Sequence, residues 1–597
     1  MTASNWEESM ENQQQFARVT VLIGILCVFA APGMGQDSGR VIDSVTRGNW
    51  DALSGEPATA DTQQSTFYQV EMPDGILLAT QVWLPTTGGP TFPTVFMRTP
   101  YGRFGGSDER SLYLQNEYAV VGQDVRGFGQ SQGSWYFWED EPSDGHATIE
   151  WIAMQSWSDG KVGMFGRSAL GAAQYAVAQG APSALKCLAP AHESPDRYHH
   201  VAFPGGALFY DLVINWTNGA GLSHLIPVLL AHRLLDSFYD GLNWVESPET
   251  IHVPMFHMGR WYDLFQQGPP HAFQVVQHQG GAGAAGNQYL YMDPLDHYHD
   301  YGPFPDPPSP IPFEDFRQQL KLDWFDYWLK DEATGVDGWP QARIYVMGAI
   351  DEPGAPGNVW LEMSDWPPPR ETRAFYLAQD GSLGESIPTP GQLVLPIDPL
   401  DPVLTYGGAN YHEVKGPRDQ AAYPLDRPIE SRDDVLTFTT DVLTEPTTVI
   451  GSVTAEIWIN PDTPDLDLSV RLTDVYPDGR SLLITDGIQR ARMRCGDTEE
   501  CFLEPGVPTK IEVNVWLAAM VFNAGHRIRV AIAGTNWERF EINSNDGGDL
   551  NNPNYIEAHP EILFGPQYPS ALYLPIPALF ADDFESGDTS AWSAAVP

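Results

Sequence analysis

At about residue 345 the hydrophobic pattern of this chain changes its period, and that change constrains the fold more than any single motif. From residue 65 onward, short apolar runs alternate with helical ones. "ILLATQVWLP", "TVFMRTPYG" and "YAVVGQDVRGFG" read as strands, the last ending in polar and glycine residues. "SDGHATIEWIAMQSW" carries Ile149, Ile152 and Ala153 at helical spacing, with Ser143 or Asp144 placed to cap it. "KVGMFG" is a further strand, followed by an alanine-rich helix. Strand and helix in alternation imply a mainly parallel sheet covered on both faces. After the change, helices nearly vanish. "SVTAEIWIN", "DLSVRLTDVYP", "KIEVNVWLA" and "HRIRVAIAG" alternate at period two between Pro, Asp and Gly turns, as strands of an antiparallel β-sandwich do. The chain is therefore expected to be α/β over 65–345 and all-β over 346–577, and 597 residues are too many for one ordinary domain.

Within the first half the rhythm breaks between about 190 and 252. "HHVAFPGGALFYDLVINW" and "LSHLIPVLLAHRLLDSFYDGL" are aromatic and mostly helical in pattern, which suits a cap inserted over the carboxyl edge of the sheet. The strand pattern resumes with "VPMFHMGRWYD" and "NQYLYMDPLDH". In "FEDFRQQLKLDWFDYWLK", Phe316, Leu320, Trp324, Phe325 and Trp328 share one helix face, and that stripe reads as core packing.

The ends of the chain read differently. "FARVTVLIGILCVFAAPGMG" (16–35) holds roughly 13 apolar residues, short for a membrane span of about 20, and fits a secretory signal over residues 1–35, cleaved near Gly35. The acidic leader of Glu7, Glu8 and Glu11 is untypical of such signals. Cys27 lacks the small residue expected before a lipidated cysteine, so a secreted or periplasmic protein without a lipid anchor is expected. Residues 36–64 read as a linker and 578–597 as a polar tail.

The net charge is −46, with 26 Arg against only 6 Lys. Such a balance disfavours nucleic acid and anionic membrane surfaces as partners and fits a solvated acidic surface. Cys495 and Cys501 bracket "CGDTEEC" at a spacing that allows a small disulfide outside the cytoplasm, without the sequence deciding whether they are bridged, while Cys187 in "ALKCLAP" reads as a buried strand thiol. No Cys/His cluster has zinc spacing and no glycine-rich phosphate loop occurs, so no metal or cofactor is expected.

Chemistry enters with "DGKVGMFGRSALGAAQYAVAQG" (159–180), where Ser168 lies between a strand and a helix with Gly166 and Gly171 on either side. A sharp strand-to-helix turn lifts a serine hydroxyl above the sheet edge, and small neighbours keep the crossing backbones clear. The bland alternative is a helix N-cap serine. The usual nucleophile turn has glycine two residues after the serine, whereas here Leu170 stands there and Gly171 follows. If the fold is an α/β hydrolase, an acid and then a base must follow in chain order. Asp263 ends "VPMFHMGRWYD", and His297 follows the next strand, with His299 as its competitor; the pattern does not choose between them. Asp124 also ends a strand but precedes the serine, and is expected to tie its loop to Arg126.

These stretches, with "MRTPYGR", "QDVRGFGQSQG", "GRWYDLF", "WFDYWLK", "RLTDVYPDGR", "ITDGIQRARMR", "AGHRIRVAIAG" and "NSNDG", resemble in order the cocaine esterase and X-prolyl dipeptidyl-peptidase family of serine hydrolases over about residues 65–575. The resemblance implies an α/β-hydrolase domain with an inserted helical cap, followed by a jelly-roll domain. It implies Ser168 as nucleophile, Asp263 as acid and His297 as base, and it shares the late Gly171. It also implies an oxyanion hole from the Tyr101 phenol and the Ala169 N–H. Two departures limit the transfer. Ala169 stands where the family usually has Tyr, and only 94 residues separate Ser168 from Asp263, so the cap is short. The expected substrate is a small ester or amide or a short peptide, esters first and X-prolyl peptides second. Glu193, Asp196 and Asp211 are candidates to hold a peptide's free amino end. A secreted carbohydrate-binding protein with a dead hydrolase domain is the alternative of another class, and competent residues at every implied position argue against it.

Overall fold

Alternating apolar residues on the strands of the first half have two helical layers to face, and the computed structural model shows both. It describes residues 65–578 apart from 106, 300–301, 306–312, 412–413, 423–426 and 549–553. The expected signal (1–35), the linker (36–64) and all but the first residue of the tail lie outside the described residues.

Ten strands form one sheet: β1 Ser65–Glu71, β2 Leu77–Trp83, β3 Phe92–Thr99, β4 Ala119–Asp124, β5 Ser158–Arg167, β6 Leu185–Ala191, β7 Met255–Tyr262, β8 Gln288–Asp296, β9 Ala342–Val346 and β10 Val359–Met363. Their order is β1-β2-β4-β3-β5-β6-β7-β8-β9-β10. From β4 across to β9 neighbours run parallel; β1, β2 and β10 pair antiparallel at the edges. Successive residues of one strand enter opposite cores. Phe96, Val121 and Met164 pack with Ile149 and Ile152 of α2 (Glu141–Ala153) and with Ala172 and Ala176 of α3 (Ala169–Ala178). Val95, Val120 and Phe165 pack with Tyr113 of α1 (Ser107–Gln115) and with Leu320, Trp324 and Phe325 of the helix Phe313–Lys330. That period-two division is why the middle strands are nearly continuous apolar runs.

Two local expectations are corrected. Helix α2 starts at Glu141 with Asp140 at its cap position, so Ser143 and Asp144 lie inside its first turn. Pro142 suits that turn, and the Asp144 carboxylate is drawn instead to Arg126 Nη2 at 2.7 Å. The sheet also runs past residue 345, because β10 pairs with β9. Period-two patterning cannot separate the last edge strand of one sheet from the first strand of the next.

Between β6 and β7 lie α4 (Tyr210–Gly219) and α5 (Ile226–Ala231) with several single turns. The stretch expected to open this insertion as a helix is broken into turns, since Pro204 followed by Gly205 and Gly206 cannot sustain one. After β7 comes α6 (Gly268–Gln279), and Phe313–Lys330 is α7.

Beyond residue 369 the described regular structure is almost wholly strand. One antiparallel sheet holds Arg370–Leu377, Leu383–Gly384, Gly391–Val394, Thr447–Asn460, Thr509–Phe522, Glu561–Phe564 and Ala571–Pro577; the other holds Val435–Thr439, Asp467–Val475, Ser481–Arg490 and Arg527–Ala533. Val449, Ile457, Val470, Leu472, Val530 and Leu572 from the two sheets share one core, the sandwich the second half's pattern calls for. That core is continuous with Leu290, Met292 and Ile344 of the first sheet. Side chains at the end of β7 fasten the sandwich beside the sheet's carboxyl edge. The Tyr262 hydroxyl donates to the Leu483 carbonyl at 3.1 Å, and Gln266 Nε2 donates to the Leu517 carbonyl at 3.0 Å. Among the described residues no helix is long and apolar enough to cross a membrane.

Candidate active site

The loops after β5, β7 and β8 leave the carboxyl end of the parallel sheet, and each carries one of the residues expected at the site. Ser168 follows β5 with φ 56° and ψ −131°, a conformation costly for a residue with a Cβ. Its N–H donates to the Ala191 carbonyl at 2.9 Å, which ties the turn to the end of β6. The side chain makes no capping bond to α3, so the N-cap alternative does not describe what it does. Both flanking glycines are needed. Gly166 has φ 136°, and a Cβ on it would lie 2.4 Å from that of Leu170. A Cβ on Gly171 would lie 2.9 Å from the Ala191 carbonyl oxygen, so α3 can approach β6 only without one. Ala169 opens α3, and the first N–H groups of a helix have no partner within it.

Asp263 follows β7 and is buried. Its Oδ2 lies 2.8 Å from His297 Nδ1, and its Oδ1 accepts the Phe265 N–H at 2.7 Å. His297, 5% exposed, is packed edge-on by Phe265 and Tyr298 at 5.7 and 4.9 Å between ring centroids. With Nδ1 donating to the carboxylate, Nε2 is the nitrogen left to act as a base. His299, which spacing left in contention, turns to Asp296 at 2.9 Å. Among the described residues no hydrogen bond joins the Ser168 hydroxyl to His297.

Tyr101 follows β3. Its phenol oxygen accepts the indole N–H of Trp216, from α4 of the cap, at 2.8 Å. Desolvation of the hydroxyl, although the residue as a whole is 42% exposed, pushes its pKa up, against smaller opposing effects of the Trp216 bond and of the neighbouring Ser168 hydroxyl, so it stays protonated at neutral pH. Ser168 and Tyr101 are thus neighbours, and Asp263 and His297 are bonded. Nothing in the sequence marked Trp216, which is 115 residues from Tyr101 and reads as one more cap aromatic.

Asp124 is corrected. It binds Arg103 Nη1 at 2.8 Å and the Gln130 N–H at 3.1 Å, while Arg126 goes to Asp144 and Asp74. Arg126 lies past the end of β4, where its guanidinium is taken by Asp144 and Asp74, while the Arg103 N–H and Nη1 reach Asp124 from the loop after β3. Among the described residues no group of three or more His, Cys, Asp or Glu side chains is placed to hold a metal ion.

Sequence models of two domains match the chain. The one described as X-Pro dipeptidyl-peptidase (S15 family) covers residues 74–226, and that of the X-Pro dipeptidyl-peptidase C-terminal non-catalytic domain covers residues 334–573. Cocaine esterase of Rhodococcus sp. (strain MB1 Bresler) is 30% identical over 581 residues, which are 85% of this chain and 97% of that protein. The chain belongs to the cocaine esterase and X-prolyl dipeptidyl-peptidase family.

As a member of that family the chain is a serine hydrolase. Two solved structures share its fold at 22% identity. An α-amino acid ester hydrolase has a TM-score of 0.75 over 89% of this chain and 100% of its own. An aminopeptidase from a marine sediment archaeon (Thaumarchaeota archaeon) has 0.74 over 90% and 98%.

The carboxylates considered for an amino-group clamp all have partners. Glu193 is buried, which raises its pKa, and its Oε1 accepts from Arg197 at 2.8 Å and from the Ser194 N–H at 2.9 Å. Asp196 accepts from the N–H groups of Tyr198 and His199 and from His199 Nδ1 at 2.7 Å. Asp211 Oδ1 accepts from Asn215 Nδ2 at 2.9 Å. Cys495 and Cys501 are bridged, and Cys187 is buried on β6. The bridged loop meets the cap, where Asp497 Oδ2 lies 3.1 Å from His199 Nε2 and its carbonyl accepts the Leu235 N–H at 2.8 Å.

Proposed function

We propose that this family member hydrolyses small carboxylic esters through an acyl-enzyme on Ser168. One observation carries the reading: the buried Asp263–His297 pair at 2.8 Å fixes an imidazole whose bare nitrogen is Nε2, on the strand-end loop next to the one after β7 and over the same edge as Ser168. His297 Nε2 takes the proton of Ser168 Oγ as that oxygen bonds to the ester carbonyl carbon. Asp263 holds the tautomer and stabilises the imidazolium. Contact between serine and imidazole tightens when substrate arrives, as catalytic hydrogen bonds commonly do. The charge that develops on the carbonyl oxygen is met by the Tyr101 O–H and the Ala169 N–H; one such donor is worth roughly 2.7–4 kcal/mol of barrier. His297 then protonates the departing alkoxide. In the second half it deprotonates a water that attacks the acyl carbon, and the proton returns to Ser168.

Esters are favoured over X-prolyl peptides because a dipeptidyl-peptidase must hold a cationic amino end. Glu193 and Asp196 are already engaged by Arg197 and His199 of this chain, and Asp211 gives its Oδ1 to Asn215. The apolar run at 16–35 supports export by a cleaved leader, which sequencing the mature N-terminus of the secreted fraction tests.

The decisive experiment compares wild type and Ser168→Ala. A fluorophosphonate probe should label the former once per chain and the latter not at all. Wild type should hydrolyse 4-nitrophenyl acyl esters faster than an X-prolyl 4-nitroanilide. Faster release from the anilide would move the assignment to a peptidase, and absence of labelling of folded wild type would end the enzyme reading.

A further inference from the structure

The cap brings the Trp216 indole N–H to the phenol oxygen of Tyr101, on the oxyanion side of the proposed site. Trp216 lies in α4, and its indole N–H donates to the phenol oxygen of Tyr101 at 2.8 Å. An indole N–H can only donate, and a phenol has one proton of its own to give. With an acceptor site of the oxygen filled by Trp216, the phenolic proton cannot turn toward the indole and is left to point into the cleft. The Ser168 hydroxyl lies beside the same oxygen. The indole is itself held: its ring packs against Trp135, from the loop after β4, at 5.8 Å and 62°. Trp135 in turn meets Trp138 and Phe137 edge-on or tilted. A rigid aromatic stack thus carries the donor from the cap to the phenol.

We infer that Trp216 is a positioning residue for ester hydrolysis, aiming and polarising the Tyr101 hydroxyl so that the oxyanion hole is complete only when the cap is docked. This rests on the function proposed above. Accepting a hydrogen bond makes a hydroxyl a better donor through mutual polarisation, and the Trp216 bond acts in the same sense by drawing the phenol toward greater acidity. The contribution belongs to the transition state, because the carbonyl oxygen accepts most strongly once it is charged. It is therefore expected in kcat, not in KM.

The test uses the full chain and a 4-nitrophenyl acyl ester. Trp216 is replaced by β-(3-benzothienyl)alanine, which keeps the bicyclic shape and substitutes sulfur for the N–H, and in parallel Trp216→Phe is made. The isosteric variant should lose three- to tenfold in kcat, the worth of one net hydrogen bond, with KM changed less than twofold. In a Tyr101→Phe background the same replacement should leave kcat unchanged, since the oxygen that it serves is gone. Circular dichroism and melting temperature establish that each variant folds. A rise in KM with kcat retained would make Trp216 a pocket wall and overturn the inference, as would an equal loss in the Tyr101→Phe background. If Tyr101→Phe or Ser168→Ala keeps full activity, the underlying site assignment fails. If both lower kcat and the isosteric variant does not, only the role of Trp216 fails.

Discussion

Replacing Asp263 by Asn tests the site at its best-defined contact. The carboxylate has two jobs, one per oxygen: Oδ1 accepts the Phe265 N–H at 2.7 Å, and Oδ2 faces His297 Nδ1 at 2.8 Å. An asparagine amide has one oxygen and one NH2. Turning the NH2 toward Phe265 would set two donors face to face in a buried site, a penalty of about 1–3 kcal/mol. The amide oxygen therefore stays with Phe265 and the NH2 is presented to His297. Nδ1 must then accept, the ring proton moves to Nε2, and the nitrogen that should receive the serine proton is occupied. A triad with that wrong tautomer loses roughly 10⁴-fold in kcat, or about 5.5 kcal/mol at about 1.36 kcal/mol per tenfold. Shape and the Phe265 contact are conserved, so the fold should change by no more than about 1 kcal/mol. Steady-state hydrolysis of a 4-nitrophenyl ester beside a urea denaturation curve reads both quantities. A folded Asp263→Asn protein with kcat within tenfold of wild type would refute the assignment of Asp263 as the group that fixes the base.

Three other outcomes are expected. Gly166→Ala should cost about 2–4 kcal/mol in chemical denaturation, because φ is 136° and the new Cβ would lie 2.4 Å from that of Leu170; adding Leu170→Ala should not relieve it, since the clash is with the Cβ. Removing the Cys495–Cys501 bridge by paired serines, which opens a loop of sequence separation 6, should cost about 2 kcal/mol, read as a lower urea midpoint under non-reducing conditions. The third concerns pH. His199 sits between Asp196 and Asp497; burial works against its charge, yet hydrogen bonds to both carboxylates raise its pKa to about 10. A folded pKa above the unfolded value of about 6.5 stabilises in full below that pH and less as pH rises toward the folded value. The melting-temperature gap between wild type and His199→Gln should be widest near pH 6 and close by about pH 10. It should be small throughout, since the ring is 41% exposed and solvent screens the pair. A gap that stays constant across that range would contradict the charged bridge.

Legibility differed between elements for identifiable reasons. Strands β2 to β8 could be read because each must bury alternate residues in two different cores, which writes a local apolar run into the chain. Ser168 was legible because its turn demands small neighbours at 166 and 171 within a few residues. The edge strand β10 was not, since half-exposed period-two runs look alike in either sheet. The partner of Asp124 was misjudged because nearness in sequence suggested Arg126, whereas the loop carrying Arg103 folds over the strand end.

What the chain determines by itself is periodic and near in sequence: an α/β half, an all-β half, and a serine, an aspartate and a histidine each just past a strand end. Burial period depends only on neighbours a few residues away, so it survives in one dimension. Spacing left His297 and His299 open and the resemblance implied His297; only the tertiary structure shows it meeting Asp263, across 34 residues, and Trp216 reaching Tyr101 across 115. Those contacts follow from strand register, ring packing by Phe265 and Tyr298, and docking of the cap, each set by long-range packing that no local pattern encodes.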